Sequence, residues 1–318
     1  MMKKIVFTLL ILSTLVMQAK PLEHGSHWYN GVLIFEATLH QGGNIVINAM
    51  DEGQEMEFML VPVKGKPETY RIAHGSNDAM MIYENCETAK HVQQEGLDVI
   101  CLYNHDGELY TIFSKLTEND AGDHQQLNIE HWMATLRGRY TMQDGTQVTI
   151  DWTKAHVGGT YIPIEPVTFN SHITGVMSFD GDGTPLNGTM EVEPTIDGLR
   201  LYPVAFDEYG GHHRLGDQAI TLTESDPNSP RFDYANHTLL HGNELYDYSP
   251  EMLRVMRNSI YARHGHVFQT ADLKGYFSHE PWYKPVNSNE SQKLSLLEQL
   301  NVDIIKMREA ELKKENKN

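Results

Sequence analysis

The chain has 318 residues, with 25 Lys and Arg against 43 Asp and Glu, for a formal net charge of −18. So acidic a surface argues against nucleic acid, whose phosphates need a basic face, and against anionic membranes. It suits a soluble chain kept apart by its charge, and the length predicts two or three domains rather than one core.

The first residues, "MMKKIVFTLLILSTLVMQAK", have the layout of a secretory signal peptide: Lys3 and Lys4, an apolar run from Ile5 to Val16, and a cut after Ala19. The apolar run is too short to span a bilayer comfortably, and no later segment has the length of a transmembrane helix. The expectation is therefore an extracytoplasmic chain, periplasmic or secreted, with no stable membrane insertion after cleavage.

From about residue 28 to 245 the texture is that of short strands. "HWYNGVLIFEATL", "GNIVINAM", "EMEFMLVPV", "DVICLY" and "ELYTIFSKL" are β-rich runs parted by turns. Asp106-Gly107 and Asp144-Gly145 each stand between two such runs, and Asp-Gly tolerates the positive φ angles of a tight hairpin. The same pattern continues through "GTMEVEP" and "LRLYPVAF". Many short strands with regular turns predict a sandwich or barrel-like, mainly-β region. Faint identities at offsets of 144, 141 and 143 (Gly31-Val32 with Gly175-Val176, Pro62-Val63 with Pro203-Val204, Arg71 with Arg214) suggest that this region is duplicated. The polar stretch at 117–126 is the expected seam, with a helix over about 127–136 able to follow it.

Cys86 and Cys101 are the two cysteines. In an oxidising compartment they can pair as one disulfide, or remain as two small buried thiols.

After Tyr248 the apolar period changes from two to about 3.6. Ser249-Pro250-Glu251 reads as a helix start, with a serine N-cap, proline at the first helical position and an acid near the positive end. Ser295-Leu296-Leu297-Glu298 is a capping-box pattern that starts a second helix. The predicted organisation is a signal peptide at 1–19, a β-rich domain at 20–125, a second β-rich domain at 126–245 and a helical domain at 246–318. The fold class is multidomain α+β, a mainly-β N-terminal region with a small helical C-terminal domain.

Seventeen histidines invite a metal reading, chiefly at His212-His213, His237 with His241, and His264 with His266. Paired cysteines and the HExxH pattern are missing, and 237–241 has no clear helix signal to set two imidazoles on one face. Scattered surface histidines are the plainer reading, so no metal ligands and no cofactor are assigned. The run at 179–188 carries Asp180 and Asp182 but fails the calcium-loop template, which needs glycine where Pro185 stands. Serine-nucleophile, phosphate-loop and dinucleotide motifs are absent. No catalytic residue is assigned, although an acid pair of the glycosidase kind can hide among 43 acids.

Residues 249 to about 310 resemble the YARHG domain through Tyr261-Ala262-Arg263-His264-Gly265, followed by "LKGYFSHEPWYKP" and "LSLLEQLNVDIIKMRE". His266 stands where an aromatic residue is more often expected. The resemblance implies a bacterial extracellular domain of no established molecular function and supplies no catalytic residues. The motif itself reads as a helix end, with Gly265 at the left-handed position past the last turn and Arg263 and His264 facing its free carbonyls. A ligand-binding role is the alternative, on Tyr261, Arg263 and His264. The aromatic group Tyr276, Trp282 and Tyr283 fills a small core or forms a platform for sugar rings. The chain is thus expected to be an exported cell-envelope protein, a non-catalytic module for cell-wall glycan or another envelope protein. The alternative is an envelope hydrolase acting on glycan or peptide, with its acid pair in the β-rich region.

Overall fold

Alternation of apolar and polar residues along each predicted run puts every second side chain inside a closed sheet. The computed structural model describes residues 21–51, 53–73, 80–81, 83–117, 124–169, 172–225, 231–286 and 293–315. The signal segment and most of the seam at 117–126 lie outside these residues.

In the first β region the strands are β1 (Ser26–Tyr29), β2 (Ile34–Leu39), β3 (Ile45–Asp51), β4 (Gln54–Pro62) and β5 (Thr69–Ala73). They continue with β6 (Met80–Met81), β7 (Cys86–Gln94), β8 (Leu97–Asn104) and β9 (Leu109–Lys115). Successive strands pair antiparallel, and β1 closes on β9 with Trp28 opposite Lys115. Only the short β6 stands outside the closed ring of eight, parallel to β4. Trp28, Phe35, Ile47, Phe58, Leu60 and Phe113 fill the interior.

The second region repeats the plan. Helix α1 (His124–Leu136) leads into β10 (Gly138–Met142), β11 (Gln147–Ile150), β12 (Lys154–Val157), β13 (Thr160–Phe169) and β14 (His172–Phe179). The chain then forms β15 (Gly188–Thr195), β16 (Gly198–Phe206), β17 (His212–Arg214) and β18 (Ile220–Glu224). β10 closes on β18 with Tyr140 opposite Glu224, giving a second up-and-down ring of eight, and β17 is appended to β16. Met133 and Leu136 of α1 reach into the core of this barrel. Both Asp-Gly turns are hairpins, with φ of 75° at Gly107 and 88° at Gly145.

The duplication of architecture is real, but its register is not the one the faint identities suggest. The offset of 144 lays the Gly31–Phe35 stretch, which leads into the second strand of one barrel, over Gly175–Phe179 in β14, the fifth strand of the other. Matched strand for strand, β1 corresponds to β10 and β9 to β18, an offset nearer 110 on the printed bounds.

The chain ends in α2 (Pro250–Arg263), α3 (Ala271–Ser278) and α4 (Leu296–Glu315), preceded by single 3₁₀ turns at Asp233–Asn236 and Gly242–Leu245. These turns pack with the helices, Phe232, Ala235, Leu240 and Leu245 sharing their core. Its core has no wall of its own on one side. Val99, Cys101, Leu109 and Ile112 of the first barrel join Leu253, Met256, Ile260, Leu300 and Ile304 in one cluster. The unbroken apolar run of β8 is thereby explained: Ile100 and Leu102 face the barrel interior while Val99 and Cys101 face the helices.

This division also governs the cysteines. Cys86 belongs to the interior cluster and Cys101 to the cluster outside the wall, and both are free and buried. The bridge that an oxidising compartment would allow is not formed, because the two thiols sit on opposite faces of one sheet. Burial pushes each thiol up to about 12, so neither is poised as a nucleophile.

Candidate functional site

The residues Tyr261 to Gly265 finish α2. The helix begins as its sequence predicts, with the Ser249 hydroxyl accepting from the Met252 amide and Pro250 in the first turn. It ends with His266 N–H donating to Tyr261 C=O at 3.2 Å and Gly265 N–H to Ala262 C=O at 2.9 Å, the paired bonds of a Schellman turn. Gly265 has φ 75°, and a Cβ there would stand 2.7 Å from Val286 Cγ2. Nothing but glycine fits both demands.

The charged side chains of the motif tie this helix end to its neighbours. Arg263 hydrogen-bonds Asp233 and lies over the Trp282 ring at 4.8 Å. His264 Nε2 meets Glu298 Oε1 at 2.7 Å. Glu298 is the capping-box residue of α4, its other oxygen accepting from the Ser295 amide at 2.8 Å. The motif therefore couples the end of one helix to the start of another.

Tyr276, Trp282 and Tyr283 gather around Phe277 and Phe268, whose rings stack at 4.6 Å. The Trp282 indole donates to Glu280 and the Tyr283 hydroxyl to His266 C=O. All six residues singled out in this domain come together, each engaged with the domain itself.

Open space of ligand size lies on either side of α1. One face of this helix turns Gln126, Ile129, Glu130 and Met133 toward the second barrel, across a cleft of about 810 Å³. The opposite wall is Trp152, Thr153, Pro163, Glu165, Ser178 and Asp180. Trp152 is 41% exposed, with Arg137 over its ring at 4.5 Å. It also lines a second cleft of about 550 Å³ beside Arg139, Asp151, Arg231 and Asp233, so the indole stands where two clefts meet. The 179–188 run, which fails the calcium-loop template, joins β14 to β15 and contributes Asp180 to the first cleft.

The other face of α1 meets both barrels and the helical part around a cavity of about 220 Å³. His131 Nδ1 lies 2.7 Å from Glu244 Oε1, and His241 Nδ1 lies 3.2 Å from the same oxygen. His241 Nε2 contacts Ser114 Oγ at 3.0 Å, and its backbone N–H donates to Glu244 Oε2. Tyr29 packs edge-on against His241 and tilted against His131, and donates to Asn128. Burial acts to raise the Glu244 carboxyl, but hydrogen bonds and positive charge from His131 and His241 prevail and hold it near 2. Burial opposes the charge on His131, yet the Glu244 carboxylate outweighs it and raises that imidazole.

Sequence reasoning missed this group. His241 was paired with His237, which is an exposed side chain beside Asp233, and His131 is 110 positions upstream. The usable signal was His241-x-x-Glu244, a box at the start of a 3₁₀ turn.

The comparisons with known proteins bear on the C-terminal part. The YARHG domain model matches residues 231–310. The C-terminal region is a YARHG domain. This is an extracellular-type domain of unknown function, and the match begins at the 3₁₀ turns, as the packing does. No family model covers the barrels. No curated protein and no solved structure matches the chain. Among the described residues no helix is long and apolar enough to cross a membrane.

Proposed function

We propose that this is an exported, non-catalytic binding protein of the cell envelope, and that it takes hydroxyl-rich glycan in the cleft between α1 and the second barrel. The observation that carries this reading is Trp152, an exposed indole at the meeting of two clefts, within a wall that also holds Glu130, Glu165, Asp180, Gln126 and Ser178. A flat aromatic face suits the apolar side of a sugar ring, while carboxylate and amide oxygens accept from its hydroxyls. The extracellular type of the YARHG domain and the signal-like N-terminus support an extracytoplasmic setting. The six YARHG-domain residues serve this reading indirectly, by holding the helical part together.

Co-sedimentation with purified cell-wall sacculi and a panel of insoluble neutral polysaccharides tests it. The wild-type chain is expected to pellet with at least one of them, and folded Trp152→Ala to lose about tenfold or more in affinity, the scale of one buried aromatic contact. Equal binding by the two proteins would overturn the assignment of the cleft.

A second reading rests on the carboxylates of the same cleft. Glu130, Glu165 and Asp180 are the residue type that glycosidases use as an acid–base pair. Hydrolysis of any of those polysaccharides, abolished by Glu130→Gln or Glu165→Gln, would establish it over simple binding.

A further inference from the structure

The three-way junction holds a group whose chemistry goes beyond glycan binding. His131 from α1, with Glu244 from the turn at Gly242–Leu245 and His241 capping that turn, bring one ligand atom each to within 4.8 Å of one another. Two imidazoles share a single carboxylate oxygen. Ligands about 2.0–2.1 Å from a tetrahedral ion stand roughly 3.3 Å apart. The 3.2 Å between His241 and Glu244 already meets this, and the 2.7 Å between His131 and Glu244 needs only a small opening.

The surroundings resemble those of a built site. His241 is 1% exposed and its far nitrogen is held by Ser114 at 3.0 Å, which fixes the ring as outer partners do for metal-bound histidines. The second carboxylate oxygen is taken by the His241 backbone amide, leaving Oε1 as a one-oxygen donor. Gly31 lets the ring come this close: at φ 98°, its Cβ would stand 2.5 Å from His241 Cβ. The cavity reaches His131 and Glu244, which provides an entry path and an open coordination position.

We propose that His131, His241 and Glu244 bind one divalent zinc-class cation, with a fourth position open to the junction cavity. Two nitrogens and one carboxylate oxygen suit Zn²⁺ rather than Ca²⁺ or Mg²⁺, which take oxygen shells. Each histidine would bind through the Nδ1 lone pair as a neutral imidazole with its proton on Nε2, which in His241 would point to Ser114 Oγ. The ion would join α1 and the YARHG domain at one point, with Ser114 of the first barrel behind His241, whether or not the cleft binds glycan.

The test uses the full chain, stripped with chelator and titrated with Zn²⁺ against a chromophoric competitor, with elemental analysis after dialysis. The expected result is one zinc per chain. Ser114→Ala should weaken it by about 10–100-fold, as loss of an outer partner does, and His131→Gln or Glu244→Gln by more than that. Zinc should raise the melting temperature of the wild type and leave that of His131→Gln unmoved. A His212→Gln/His213→Gln control, remote from the junction, should bind as the wild type does. His131 sits partly at the surface, so its variant stays informative even if His241→Gln fails to fold. No stoichiometric uptake by the folded wild type, or unchanged uptake by folded His131→Gln and Glu244→Gln, overturns the proposal.

Discussion

Gly265 is held by two demands at once, a positive φ and a neighbour too close for a Cβ. Gly265→Ala should therefore cost about 1–3 kcal/mol in urea unfolding, a larger loss than at a glycine with open space such as Gly107. A second residue-scale prediction concerns Asp98. Burial pushes its carboxyl up, but hydrogen bonds from His91 and Gln93, with Lys115 near, bring it below the ordinary carboxylate value. A depressed folded value contributes stability that is present above the unfolded value, about 3.9, and is lost as pH falls through the folded one. The stability gap between wild type and Asp98→Asn should be full near neutrality and shrink below about pH 4, read by denaturant unfolding at each pH. Parallel curves across that range would contradict the assignment.

At the scale of elements, one side chain ties α4 to the segment that precedes α2. Asn301 is fully buried, accepts from the Leu240 amide at 2.8 Å, and donates to Ala235 C=O at 2.7 Å and Thr238 C=O at 2.8 Å. Asn301→Leu leaves three backbone groups of the 235–240 segment without partners, a cost of about 2–4 kcal/mol and a looser segment in hydrogen exchange. An unchanged midpoint would show that water replaces the amide. The helices themselves were legible, because Ser249-Pro250 and Ser295-x-x-Glu298 are local signals that bond as their spacing predicts. The helix end at His264-Gly265 was legible for the same reason. Asn301 was not, since its partners lie more than 60 positions away. The strand runs announced themselves by alternation, but eight-membered closure depends on pairings between the first and last strands that leave no local trace.

For the whole molecule, the YARHG domain borrows a wall from the first barrel, and α1 stands between that barrel and the second. The candidate sites follow this arrangement: both lie along α1, one on each side, and neither depends on the five residues that name the domain. This is why these clefts were not legible in the sequence. Short, recognisable motifs are bound to their own domain, whereas His131, Glu244 and Trp152 acquire meaning only from packing. Lengths and turns suffice to predict barrels, but a cleft between elements far apart in the chain has no period to read.

The most direct measurement of this division is sacculus and polysaccharide co-sedimentation of the folded Arg263→Lys/His264→Gln double variant beside the wild type and Trp152→Ala. If the motif is architecture and the cleft binds, the double variant pellets as the wild type does, with a lower melting temperature, while Trp152→Ala stays in solution. A folded double variant that no longer binds, with Trp152→Ala binding normally, would place recognition at the YARHG motif and contradict the account.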